Sequence, residues 1–177
     1  DSAEALAQLR SDGLALAVLS GDREGPVRQL GQQLALQPDQ LAWGLRPEHK
    51  LQRLHQATGP VAMVGDGLND APALAAADLG IAVGTGTQIA QDSADLVVLG
   101  ERLMAVPQAL ALARSAQAKI RQNLSWAFGY NLLVLPLAAG VLLPGFGLLL
   151  TPPVAALLMA LSSITVVANA LLLRTPA

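Results

Sequence analysis

The sequence predicts an α/β domain with a parallel, doubly wound sheet, followed by a two-helix transmembrane hairpin. Three observations predict it: short apolar runs alternate with helical patterns over residues 1–100, all 13 acidic residues lie between Asp1 and Glu101, and positions 122–173 carry no formally charged side chain. Alternating strands and helices build a parallel sheet, and a spanning helix needs roughly 20 mostly apolar residues. The composition excludes other classes. Of the 177 residues, 53% are hydrophobic and 14% charged, with a mean hydropathy of +0.46. That is too apolar for a disordered chain and too weakly charged for a nucleic-acid binder. A formal charge of −2 supplies no global field for steering a ligand. With no cysteine, a disulfide framework, a zinc knuckle and a thiol nucleophile are excluded within the chain.

In chain order, residues 2–11 read as a helix and 14–20 (LALAVLS) as a strand, followed by helices over 24–36 and 47–57. Residues 61–65 (VAMVG), 79–83 (LGIAV) and 95–99 (DLVVL) read as further strands, with a helix over 70–76 between the first two. These runs lack clean polar alternation, the pattern of strands buried on both faces. Residues 101–122 read as one connecting helix leading into a first span over 123–142. Pro144, Gly145, Gly147, Pro152 and Pro153 interrupt the apolar run. A second span follows over 154–173, and residues 174–177 form a short tail. Helices of a soluble core show a polar face, and these barely do. Arg114, Lys119 and Arg121 precede the first span and Arg174 follows the second. Because positive residues stay cytoplasmic, the N-terminal domain and the C-terminus are expected in the cytosol and the Pro/Gly connection outside. Trp126 and Tyr130 fall near the cytosolic end of the first span, where aromatic side chains sit at headgroup level. The apolar segments lie at the wrong end of the chain for a secretory signal.

Ligands of open α/β sheets bind beyond the carboxyl ends of the strands, and the chemically capable residues collect there. Ser20-Gly21-Asp22 closes the first strand, and Gly65-Asp66-Gly67-Leu68-Asn69-Asp70 closes the second and opens a helix. Asp66 and Asp70 offer two hard carboxylates around a glycine turn, which suits Mg²⁺ completed by water and phosphate. Gly65 and Gly67 allow close approach of backbone to a phosphate. Lys50 would neutralise developing phosphoryl charge, and Ser20 would hydrogen-bond a phosphoryl oxygen. Each has an ordinary reading as well: Asp70 as a helix N-terminal residue complementing the dipole, Lys50 as a solvated surface charge. Together, in this order, they point to phosphoryl chemistry. Gly84-Thr85-Gly86-Thr87 reads equally as a phosphate-cradling loop or a strand-to-helix turn. His49 and His55 read as surface residues, and Trp43 as packing.

Polar residues inside the predicted spans stand out. Tyr130 and Asn131 lie in the first; Met159, Ser162 and Ser163 lie in the second at i, i+3 and i+4, on one helix face. Serine in a membrane helix usually packs or bonds the backbone, whereas an unpaired amide in hydrocarbon is costly. A thioether with a few oxygens suits a soft monovalent ion such as Cu(I) only when thiolates from another segment join it.

The stretch Met63-Val64-Gly65-Asp66-Gly67-Leu68-Asn69-Asp70-Ala71-Pro72-Ala73-Leu74 resembles the P-type ATPases, the cation-pump branch of the haloacid-dehalogenase-like superfamily. The resemblance continues through Ala77-Asp78-Leu79-Gly80-Ile81-Ala82-Val83-Gly84 to Asp92-Ser93-Ala94-Asp95-Leu96-Val97 and covers essentially the whole chain. It implies a partial haloacid-dehalogenase-like, Rossmann-type phosphorylation domain over 1–100 and the last two membrane helices over 123–173. It further implies Asp66 as a Mg²⁺ ligand, Asp70 as a supporting carboxylate, and Lys50 as a contact of an aspartyl phosphate formed from ATP. Gly65, Gly67 and Asn69 belong to the same hinge motif. Ser20-Gly21-Asp22 matches the family's Thr-Gly-Asp with the hydroxyl kept. Tyr130-Asn131 and Met159-x-x-Ser162-Ser163 resemble the copper-exporting subgroup, which implies Tyr130, Asn131, Met159, Ser163 and, less directly, Ser162 as carriers of transported Cu⁺.

The resemblance also implies partners: the lipid bilayer, the actuator and nucleotide-binding domains, other transmembrane helices and a copper chaperone, with no nucleic acid. An Ala-rich composition points to a bacterial cytoplasmic membrane. The sequence contains no Asp-Lys-Thr-Gly-Thr, Cys-Pro-Cys or Thr-Gly-Glu. The expectation is therefore a C-terminal part of a pump, inactive alone for want of the phosphorylated aspartate. Two alternatives stay open: a non-catalytic membrane-anchored remnant or subunit, and a P-type ATPase for zinc or cadmium.

Overall fold

The computed structural model describes residues 1–66, 69–84, 92–100, 102–147 and 150–173. The chain divides into two compact units, Asp1–Ala109 and Leu110–Ala177. In the first, helix α1 (Ser2–Ser11) precedes strand β1 (Val18–Leu19), helix α2 (Glu24–Gln33), a 3₁₀ turn (Pro38–Gln40) and strand β2 (Leu41–Ala42). Helix α3 (Pro47–His55), strand β3 (Ala62–Gly65), helix α4 (Ala71–Ala76) and strands β4 (Leu79–Val83) and β5 (Leu96–Val98) follow. Every strand pairing among the described residues is parallel. The strands form two sheets, β1-β2 and β3-β4-β5, rather than the single sheet expected. The expected strand 14–20 contracts to two residues because its ladder among the described residues is Val18↔Leu41 and Leu19↔Ala42. Its partner β2 was not anticipated, since a two-residue strand beside a proline turn leaves no periodicity to read.

Packing explains how the domain supports its loops. Leu74 and Ile81 are fully buried, and Met63 of β3 clusters with Ala73 and Leu74 of α4 while Leu54 of α3 packs on them. Helices α3 and α4 are thereby pressed onto the same part of the sheet. Two aspartates pin the strand starts: Asp78 accepts a hydrogen bond from the Val61 N–H at 2.8 Å, and Asp95 accepts one from the Gly80 N–H at 2.8 Å. Gly80 itself is required sterically, because a Cβ there would lie 2.5 Å from the Leu74 carbonyl oxygen.

The second unit corrects the expected boundaries. The connecting helix 101–122 and the first span 123–142 are not separate elements, since one 34-residue helix, α5 (Ala105–Ala138), runs through both. No breaker separates them until Pro136, which has no N–H to give the Leu132 carbonyl and stands two residues before the helix ends. The helix stops at Ala138 because Gly140 (φ +81°) takes the left-handed conformation. The Gly140 N–H then bonds the Leu137 carbonyl at 3.1 Å, and the Val141 N–H bonds that of Pro136 at 3.1 Å. This is the bonding of a Schellman terminus.

After the short helix α6 (Leu143–Phe146), helix α7 runs Pro152–Leu171, two residues earlier than expected at each end. Pro152 and Pro153 open it rather than precede it, as prolines suit a first helical turn. Among the described residues α7 alone is long and apolar enough to cross a membrane; the distal half of α5 carries Asn123, Ser125, Tyr130 and Asn131. The expected tail 174–177 and the interface residue Arg174 lie outside the described residues, as does Glu101.

Gly80→Ala should destabilise the α/β unit by about 1–3 kcal/mol, since backbone cannot yield to a new methyl as a flexible side chain would. A lowered denaturant midpoint with an unchanged slope checks this.

Candidate phosphoryl and metal site

The site is built from three loops at strand ends. After β1, the Ser20 N–H bonds the Ala42 carbonyl at 2.9 Å, extending the β1-β2 pairing by one residue. The Ser20 hydroxyl donates to Asp22 Oδ2 at 3.0 Å and accepts from the Asp22 N–H at 3.1 Å, closing a tight turn. Leu45 N–H bonds the Ser20 carbonyl at 3.0 Å and Gly44 N–H bonds that of Asp22 at 2.8 Å. Gly21 permits this, because a Cβ there would lie 3.2 Å from the Leu45 oxygen. The Ser20-Gly21-Asp22 turn is thus tied to the segment that begins α3.

Helix α3 starts with Pro47 in its first turn, and His49 Nδ1 accepts the Arg46 N–H at 3.4 Å. His49 therefore has a local capping task, while remaining exposed as expected. One turn in, Lys50 points toward α4 instead of solvent. Its Nζ lies 2.6 Å from Asp70 Oδ1, and the two side chains are only 12% and 14% exposed. Asp70 occupies the N-cap position of α4, yet its side chain makes no capping bond there. The carboxylate is committed to a lysine 20 residues away. Gly65 makes room for it, since a Cβ at 65 would lie 2.8 Å from Asp70 Oδ2.

Asp66 directly follows β3 and is exposed, as is Asn69; Gly67 and Leu68 lie outside the described residues. The Gly84-Thr85-Gly86-Thr87 loop lies outside them too, except for Gly84 at φ +110°. The structure therefore brings Lys50, Gly65 and Asp70 together and ties Ser20-Gly21-Asp22 to the start of α3.

In the second unit the predicted metal residues differ in exposure. Met159 is 57% exposed, Asn131 is exposed, and Ser162 is half-buried. Ser163 donates to the Met159 carbonyl at 3.3 Å, the backbone bond typical of serine in an apolar helix. Tyr130 differs: its hydroxyl is buried and has no hydrogen-bond partner among the described residues. No hydrogen bond among them joins Tyr130 or Asn131 to Met159, Ser162 or Ser163.

Two family models described as haloacid dehalogenase-like hydrolase match, one over residues 1–78 and one over 48–110. Curated relatives match nearly the whole chain. It is 48% identical over 177 residues to the probable copper-transporting ATPase SynA of Synechococcus elongatus, covering 98% of this chain and 22% of the relative. It is 44% identical over 174 residues to a copper-exporting P-type ATPase of Staphylococcus aureus, covering 97% of this chain and 21% of that one. The chain belongs to the heavy-metal P-type ATPases.

It spans about a fifth of the length of these ATPases. A crystal structure of a zinc-transporting PIB-type ATPase superposes on it with a TM-score of 0.81 at 36% identity, covering 97% of this chain and 27% of that chain. The α/β unit thus has the haloacid-dehalogenase-like fold of a P-type ATPase phosphorylation domain.

The donor chemistry fits Mg²⁺. Among the described residues no group of three or more His, Cys, Asp or Glu side chains is placed to hold a metal. Magnesium commonly takes only one or two protein carboxylates and fills its octahedron with water and phosphate oxygens. An exposed carboxylate at a strand end, backed by a second one already balanced by lysine, meets that demand.

The motif reading missed the contact of Gly65 with Asp70, although a glycine at the end of a buried strand is the usual sign of close approach. It also missed Asn169, an amide inside the apolar helix α7 that the cost of unpaired polar groups in hydrocarbon should have flagged.

Lys50→Met should cost the α/β unit about 1–3 kcal/mol, because it leaves Asp70 mostly withdrawn from water and uncompensated. The double variant Lys50→Met/Asp70→Leu should recover most of that loss. Equilibrium unfolding of the wild type, the single and the double variants checks both statements.

Proposed function

We propose that this chain supplies the phosphoryl-handling carboxylates and lysine, together with two membrane helices, of an ATP-driven Cu(I)-exporting pump. The single observation that carries the reading is the withdrawn Lys50–Asp70 pair held beside the strand end that presents Asp66. A lysine held next to a carboxylate and mostly out of water is a fixed positive group for a phosphoryl oxygen. Such preorganised charge needs no rearrangement as the transition state forms. Ser20 would donate its hydroxyl to the same phosphoryl group, giving up the bond to Asp22, while Asp22 and Gly21 keep the turn in shape. Asp66, supported by Asp70, would hold the Mg²⁺, with Gly65 and Asn69 shaping the turn around them. When bound, that ion neutralises phosphate charge. The aspartate that accepts the phosphoryl group from ATP would come from elsewhere in the pump, and without it this chain alone would hydrolyse no ATP.

In the membrane, α7 and the distal part of α5 would form the spanning pair. From Lys119 to Ala138 and from Pro152 to Asn169 the two arms rise about 28 and 26 Å, close to the roughly 30 Å of a bilayer core. Tyr130, Asn131, Met159, Ser162 and Ser163 would offer oxygen and thioether donors to Cu⁺, completed by thiolates of other helices. The orphaned Tyr130 hydroxyl supports this, because a buried donor without a partner is costly unless something else satisfies it. The α/β unit and C-terminus would face the cytosol of a bacterial membrane, with the actuator domain, the nucleotide-binding domain, other helices and a copper chaperone as partners. Zinc is a second cargo reading, favoured by the likeness to the zinc-transporting structure.

In the full-length protein, Lys50→Ala and Asp66→Asn should each lower phosphoenzyme formation from ATP by roughly 100-fold. Met159→Ala and Asn131→Ala should lower Cu(I)-stimulated turnover and leave phosphorylation by inorganic phosphate intact. Turnover stimulated by Zn(II) and not by Cu(I) would reassign the cargo, and unchanged phosphoenzyme levels in Lys50→Ala would refute the site.

A further inference from the structure

A polar cluster outside the phosphoryl site joins α5 to α7. Lys119 Nζ donates to Asn169 Oδ1 at 2.9 Å, and Asn169 Nδ2 donates to Asn123 Oδ1 at 2.8 Å. A third, longer bond runs from Asn169 Nδ2 to Gln122 Oε1 at 3.4 Å. Both ends of one amide are therefore used, by residues one turn apart on α5. Side-chain hydrogen bonds between helices of an apolar unit are directional, whereas the surrounding leucines and alanines slide past one another with little preference. A single polar residue among apolar neighbours is the device that fixes register in paired helices.

What the register controls follows from counting. Tyr130 is seven residues beyond Asn123 on α5, and Ser162 is seven residues before Asn169 on α7. Seven residues are two helical turns less about 20°. Tyr130 therefore lies on the same face as Asn123, and Ser162 on the same face as Asn169. Each stands about 10 Å from the cluster along its own helix. Met159 lies one turn further along that face of α7.

We propose that Asn169, gripped by Lys119 and Asn123, is a register clamp, a positioning residue that holds Tyr130 of α5 level with Ser162 of α7. The clamp itself stands on the hydrogen bonds above; its consequence for metal rests on the pump reading. Because α5 is continuous from Ala105 to Ala138, a displacement of that helix along its axis carries α7 with it only while the clamp holds.

The test uses the full-length protein in lipid nanodiscs. Spin labels at positions 133 and 160, both exposed, report the register of α5 against α7. Asn169→Leu should broaden the interspin distance distribution or shift it by about 5 Å, one helical pitch. It should also raise the Cu(I) concentration for half-maximal ATPase activation roughly tenfold, the usual scale for losing an outer support of a metal site. Phosphorylation by inorganic phosphate without metal should not change. The exchanged pair Lys119→Asn/Asn169→Lys keeps donor facing acceptor and should restore both the distance and the activation midpoint, which a general loss of helix stability would not. An unchanged distance distribution in Asn169→Leu overturns the clamp whatever the turnover. A protein whose distances respond but whose turnover answers neither Cu(I) nor Zn(II) supports the clamp and removes the pump reading.

Discussion

The Lys50–Asp70 pair is the interaction around which the α/β unit is arranged. Withdrawing two charges from water costs several kcal/mol per ion, and their mutual attraction repays this only when geometry is close and the surroundings fixed. Here the geometry is close at 2.6 Å, and three features fix it. Leu54 packs α3 onto the core that holds α4, Gly65 leaves the space that the Asp70 carboxylate fills, and Gly80 lets the C-terminal end of α4 settle on β4. Such a pair adds little net stability compared with a well-packed apolar substitute. What it contributes is a lysine whose position is fixed against Asp70.

The same logic governs the Ser20-Gly21-Asp22 turn. Its hydrogen bonds to Gly44 and Leu45 are main-chain bonds, so the turn is held by backbone as well as by the Ser20 hydroxyl. Among the described residues that hydroxyl bonds Asp22, a partner exposed to solvent.

In the helical unit the governing constraint is the reverse, scarcity of polar partners. Two amides, a lysine and a glutamine gather at one level, where each satisfies another, while two turns away the Tyr130 hydroxyl remains buried without a partner among the described residues. The first group is satisfied within the unit; the second is not satisfied among the described residues. Most of the large apolar side chains of α5 and α7 are exposed.

By itself the sequence determined the properties that depend on near neighbours along the chain. The order of helices and strands apart from β2, the parallel α/β class, the Gly65-Asp66-Gly67 motif and the apolar helix α7 all follow from periodicity and local sterics, which act over a few residues. Tertiary structure decided the choices of partner. Asp70 could have capped α4 with its own side chain, and Lys50 could have pointed into water; their union across 20 residues depends on how α3 and α4 share the surface of the sheet. Asn169 finds Lys119 across 50 residues only because the intervening chain turns back at Gly140 and Pro152. A charge or an amide satisfies its bonds wherever folding delivers a partner, and spacing along the chain does not carry that information.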